Sequence, residues 1–148
     1  MLMISHRGNL DGKNESRENS PLYIEEALEK GYNVEIDVWH ENHTFFLGHD
    51  SPQYEIDINF LKDERLWCHA KDIESLEIMV HNGIHCFWHQ QDDYTFTSNG
   101  HIWAYPGRPL LPSTICVKPE AACYEEGELL NCAGICSDNI QEYREKFK

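Results

Sequence analysis

No run of this sequence approaches the roughly 20 consecutive apolar residues that a membrane-spanning helix needs. Its six cysteines contain no CxxC pair, and the CxxxC spacing of Cys132 and Cys136 has no second pair to complete a zinc site. Gly/Ser or Pro tracts, repeats and low-complexity segments are missing too, so nothing reads as a linker. The 148 residues suit one domain spanning the whole of 1–148. Basic residues are scarce: 12 Lys and Arg stand against 26 Asp and Glu, a formal charge of −14. That shortage argues against nucleic acid or an anionic membrane surface as a partner, because both call for a basic patch. Residues 1–5 are too few for the apolar core of a signal peptide, so the expected location is the cytoplasm, where cysteines stay reduced and mostly buried.

Hydrophobic residues make up 41% of the chain, enough for a globular core. Eight short runs rich in β-branched and aromatic residues predict strands: 1–5, 33–39, 44–48, 66–71, 84–89, 101–105, 113–118 and 133–137. Helical patterns lie between some of them. Ser20 reads as an N-cap before Pro21, with Leu22, Ile24, Ala27 and Leu28 on one face up to Gly31. Asp72 caps a second helix carrying Ile73, Leu76, Met79 and Val80, closed by Gly83. Shorter helical stretches are expected within 56–61, 119–130 and 139–148.

Alternating strands and helices predict an α/β fold with parallel strands, and eight strands predict a (β/α)8 TIM barrel. Such barrels usually take about 250 residues, so this chain cannot place a helix after every strand. Residues 90–100 and 106–112 carry no helical pattern. The expectation is therefore a reduced TIM barrel with several outer helices missing, whose uncovered sheet a second copy could cover in a homo-oligomer.

The chemistry centres on Glu35-Ile36-Asp37. On a strand, Glu35 and Asp37 share one face while Val34, Ile36 and Val38 share the other. Alone, this common pattern fits an exposed edge strand with solvated acids. Its neighbours raise another reading. His6-Arg7-Gly8, His49-Asp50 and the His69/Lys71 pair close other predicted strands, and in a barrel such ends meet on one rim. Two buried carboxylates are stable there if a divalent cation neutralises them. Two histidines near a metal can serve as general acid and base, and Arg7 and Lys71 can hold phosphate oxygens. Lys118, which ends an apolar run, is a further candidate for phosphate. His89, Trp88, Trp103 and Tyr105 fall where they could reach the rim, although aromatics on strands are usually core.

The ordered set His6-Arg7-Gly8, Glu18-Asn19-Ser20, Glu35-Ile36-Asp37 and His49-Asp50 resembles the HRG, PENT-like, ExD and HD motifs of the glycerophosphodiester phosphodiesterase family. The likeness covers the first 50 or so residues well. It continues more loosely at 66–71, beside the family's strand ending in ExK, and at 134–138, beside its closing strand ending in TD. The resemblance implies a TIM barrel and a metal-dependent hydrolase of glycerophosphodiester-like substrates. It implies His6 and His49 as the acid/base pair, Glu35 and Asp37 as metal ligands, Arg7 and Lys71 on phosphate, and Glu18 as support around His6 and Arg7. His69 stands where the family has a carboxylate as third ligand. Either His69 binds the metal, which suits Mn2+ or Zn2+ better than Ca2+, or it is a hydrogen-bonded lumen histidine and the metal is Mg2+ or Ca2+. The partner expected is a small phosphodiester. The competing readings are an inactive or repurposed relative that binds a phosphorylated small molecule, and a structural subunit.

Overall fold

Short β-branched segments and capped amphipathic ones alternate along the chain, and each takes the form its pattern demands. The computed structural model describes all 148 residues. β1 (Leu2–His6) leads through α1 (Pro21–Glu29) to β2 (Asn33–Glu41). Ser20 caps α1 by accepting from the Tyr23 amide. At the end of β2, Asn42 and His43 take φ of 50° and 64°, the paired positive values that tight hairpin turns use. β3 (Thr44–Leu47) thus folds straight back, followed by β4 (Tyr54–Ile56) and a 3-10 turn at Ile58–Lys62. β5 (Leu66–Ala70) precedes α2 (Ile73–His81), capped by Asp72 onto the Ser75 amide. Then come β6 (Cys86–Trp88), β7 (Tyr94–Phe96), β8 (Ile102–Ala104), β9 (Thr114–Val117), α3 (Glu126–Leu130), β10 (Gly134–Ser137) and α4 (Ile140–Lys146).

All ten strands belong to one curled, mixed sheet. The order β6-β5-β2-β1-β10-β9-β8 is parallel throughout. β3, β4 and β7 pair antiparallel. This corrects the expected reduced (β/α)8 TIM barrel: the sheet is a half-barrel with only four helices, and its strands and helices do not alternate round a closed ring. Two causes are physical. The run at 44–48 follows β2 after a two-residue turn, whereas a parallel partner needs a crossover of about a dozen residues or more. Residues 90–100 hold β7, which pairs with β8 as an edge hairpin where a parallel barrel would place a helix. The edges β6 and β7 form no ladder. Only isolated hydrogen bonds bridge them, from the Ser98 amide to the Cys86 carbonyl (2.9 Å), from the Cys86 amide to Ser98 Oγ (2.9 Å) and from Thr95 Oγ1 to the Trp88 carbonyl (2.6 Å).

Apolar burial falls into two clusters. The larger, including Ile24, Val34, Ile36, Val38, Met79 and Ile140, lies between the sheet and the helices. The smaller fills the concave side with Ile4, Trp67, Phe87, Trp103, Ile115, Val117 and Cys136. Five of the six cysteines are buried and all are free thiols. Phe96 and Leu111 remain exposed beside the strands that no helix covers. No helix is long and apolar enough to cross a membrane.

Gly48 ties the β2–β3 hairpin to the site. Its amide donates to the Asp37 carbonyl (3.1 Å), and its own carbonyl accepts from Trp39 Nε1 (2.6 Å). A Cβ at this position would lie 2.0 Å from the Ser51 carbonyl oxygen. Gly48→Ala is therefore expected to destabilise the fold by about 1–3 kcal/mol, as overpacking does. Urea unfolding checks this; an unchanged midpoint would refute the close approach.

Candidate functional site

β2 carries the site because its alternation points Val34, Ile36 and Val38 at the helices and Glu35 and Asp37 into the concave side. Both carboxylates are buried, at 3% and 0% exposure. Parallel pairing brings histidines beside them: His6 on β1 is in register with Glu35, and His69 on β5 with Asp37. The turn after β1 is tight. Arg7 is left-handed (φ 57°), and at Gly8 (φ 94°) a Cβ would come within 2.7 Å of the Tyr23 ring. That explains why glycine follows His6 and Arg7.

Asp37 is well partnered. Asn19 donates from Nδ2 to Oδ2 (2.9 Å) and accepts the Asp37 amide on Oδ1 (3.0 Å). Arg7 Nε lies 3.0 Å from Oδ2, Lys71 Nζ 3.7 Å from Oδ1, and His69 Nδ1 3.2 Å from Oδ1. None of these three contacts is an aligned hydrogen bond, and Oδ1 is buried without one. Glu35 is poorly partnered. His6 Nε2 and His69 Nδ1 each stand 3.9 Å away, and Oε2 is buried without a hydrogen bond.

The electrostatics follow. Burial pushes the Glu35 carboxyl up, and Asp37 adds to the push. Burial also opposes charge on Asp37, but His69, Arg7 and Lys71 outweigh it and hold Asp37 well below the usual carboxylate range. Burial works against a charged His69 as well, yet Asp37 raises it overall. Ligand atoms of Glu35, Asp37 and His69 all lie within 4.8 Å of one another. Two buried carboxylate oxygens without donors beside an imidazole nitrogen make a donor set that fits a divalent metal.

A polar network braces the other side. His6 Nδ1 meets Asp138 Oδ1 at 2.6 Å. Asn9 Nδ2 donates both to Asp138 (2.9 Å) and to Glu18 (2.8 Å), and Glu18 lies 3.4 Å from Arg7 Nη1. Burial opposes the charge on Asp138, but His6 holds it low. Lys118, itself left-handed (φ 47°), reaches Asp138 Oδ2 at 3.2 Å. His49 is half-exposed and bonded to Asp50 (2.7 Å); burial and nearby Arg7 push its pKa down.

A cleft of about 750 Å3 collects these groups. His6, Arg7, Glu35, His49, His69, Lys71 and Lys118 all line it. Asp37 sits beneath its floor, and Glu18 stands behind Arg7. Trp88, His89, Trp103 and Tyr105 form the opposite wall. Sequence reasoning named no role for Asp138, Asn9 or Asn19. Asn19 stands within the Glu18-Asn19-Ser20 motif and Asp138 ends the 134–138 stretch, but neither pattern shows which side chains they hold. Nothing local marks Asn9, whose two partners are 9 and 129 residues away. No protein-family model, curated protein or solved structure matches the chain.

Glu35 gives a signed prediction. Its raised pKa means that the folded chain binds this proton more tightly than the unfolded chain does. The contribution is full below its ordinary value of 4.5 and is lost as pH rises through the raised folded value. At pH 7 without metal, Glu35→Gln should stabilise the protein by about 1–3 kcal/mol, the penalty of an unsatisfied buried group. The gain should vanish below pH 4.5. Thermal melts at pH 4 and 7 read this directly; a variant less stable than wild type at pH 7 would show Glu35 to be compensated.

Proposed function

We propose that the protein is a metal-dependent phosphodiester hydrolase, similar in kind to the glycerophosphodiester phosphodiesterases and acting on small glycerol-type phosphodiesters. One observation carries this reading: Arg7, Lys71, Lys118, His6 and His49 face a single cleft around a buried carboxylate pair whose Glu35 lacks a donor. The motif set supports it, since separated motifs supply His6, Arg7, Glu35 and His49 in the family's order.

Glu35, Asp37 and His69 would hold a divalent cation, which when bound would polarise the phosphoryl group. Arg7 receives phosphate oxygens in a fork, and Lys71 and Lys118 act as point charges. His6 is held at Nδ1 by Asp138, which leaves Nε2 on the cleft side. That position lets Nε2 deliver a proton to the leaving alcohol. His49 is biased toward its neutral form, so it suits removal of a proton from the nucleophile. That nucleophile is either water or a neighbouring hydroxyl of the substrate, the second giving a cyclic phosphate.

His6→Ala and His49→Ala should each lower kcat/KM by about 10²–10⁴-fold, the usual worth of general acid–base catalysis; the thermal midpoint should stay nearly unchanged for half-exposed His49 and fall for His6, whose loss leaves buried Asp138 without its partner. Wild type that turns over no glycerophosphodiester with Mg2+, Mn2+ or Ca2+ would end the enzymatic reading. Binding without turnover would identify a protein that binds phosphorylated ligands.

A further inference from the structure

The metal site of the proposed function has an unusual third donor, and its surroundings determine which atom it offers. We propose that this site selects a first-row transition-metal dication over Mg2+ and Ca2+, with His69 Nδ1 as a ligand. The inference rests on the metal-binding half of the reading above.

His69 is oriented from two sides. Its Nε2 lies 2.9 Å from the His89 carbonyl oxygen, which can only accept, so Nε2 carries the hydrogen. In the neutral ring, Nδ1 then presents its lone pair. The ring plane lies 7° from that of Phe87 at 5.1 Å between centroids, which fixes the direction of that lone pair. It points to the carboxylates, 3.2 Å from Asp37 Oδ1 and 3.9 Å from Glu35 Oε1. An N–H given to a backbone carbonyl is the usual support of a metal-binding histidine.

A proton on Nδ1 is the alternative occupant, and it serves only half of the site. It would pair His69 with Asp37 and leave Glu35 Oε2 buried without a partner. A dication serves all three groups. Mg2+ and Ca2+ favour oxygen donors throughout, whereas first-row transition dications accept imidazole nitrogen, Co2+ more strongly than Mn2+. His69 retains 15% side-chain exposure on the cleft, so ligand positions on that side stay open to substrate, as catalytic sites require.

The test uses the full chain freed of metal. Titration calorimetry would compare Co2+ and Mn2+ with Mg2+ and Ca2+ for wild type, His69→Glu and Glu35→Gln. Nitrogen couplings in the spin-echo spectrum of bound Mn2+, read with and without 15N-histidine, report the imidazole in wild type even if a variant fails to fold. The expected result is preference for Co2+ and Mn2+ over Mg2+ and Ca2+, a histidine coupling in wild type, and Co2+ affinity falling at least about 10–100-fold in His69→Glu. Glu35→Gln should lose this binding as well. Equal affinity for Mg2+ or Ca2+, absence of the histidine coupling, or a preference unchanged in His69→Glu would overturn the inference while leaving a phosphodiesterase that uses an oxygen-bound metal. Absence of divalent binding by wild type would overturn both.

Discussion

Two carboxylates two residues apart on the concave face of β2 set the terms for everything around them. Charge in that position is costly unless compensated, and the fold compensates Asp37 almost completely. Asn19 holds it twice, Arg7 lies against it, and Lys71 and His69 add positive potential. Glu35 has only His6 and His69, each 3.9 Å away, and no hydrogen bond to Oε2. The asymmetry between neighbours on one strand separates a charge-compensated carboxylate from one buried without a hydrogen bond to Oε2.

Net charge acts differently at long range and inside the cleft. A chain at −14 repels anions at long range. Within the cleft, however, Arg7, Lys71 and Lys118 are gathered from the ends of β1, β5 and β9, and the acids they face lie deeper. A dication held below them would reverse the local field further. The acids that dominate the composition lie mostly on solvated surfaces, where the Debye length of about 8 Å in physiological salt limits their reach.

The curled sheet is an economical support for such a cleft. Six consecutive parallel pairings are not completed into a ring; instead the β7–β8 hairpin closes down beside β6 through a few hydrogen bonds. Aromatic side chains fill much of the sheet's concave side. Trp67, Phe87 and Trp103 pack on one another across the concave side, with Phe87 and Trp103 centroids 4.7 Å apart. Phe87 also stacks on His69, so packing that fills the lumen also orients a candidate ligand.

Local pattern alone settled the helix caps at Ser20 and Asp72, the strand face shared by Glu35 and Asp37, and the candidate groups from His6 to Lys118. Each depends on neighbours a few residues away, where alternation and capping chemistry act. Closure of the barrel was not of that kind. A run such as 44–48 has the same composition whether it pairs parallel or antiparallel, and the turn at Asn42-His43 made the choice. The roles of Asn9, Asn19 and Asp138, and the difference between a closely partnered Asp37 and a poorly partnered Glu35, belong to tertiary structure alone. They arise from donors brought in from distant parts of the chain, and hydrogen bonding in a buried site is governed by three-dimensional proximity, which sequence spacing does not encode.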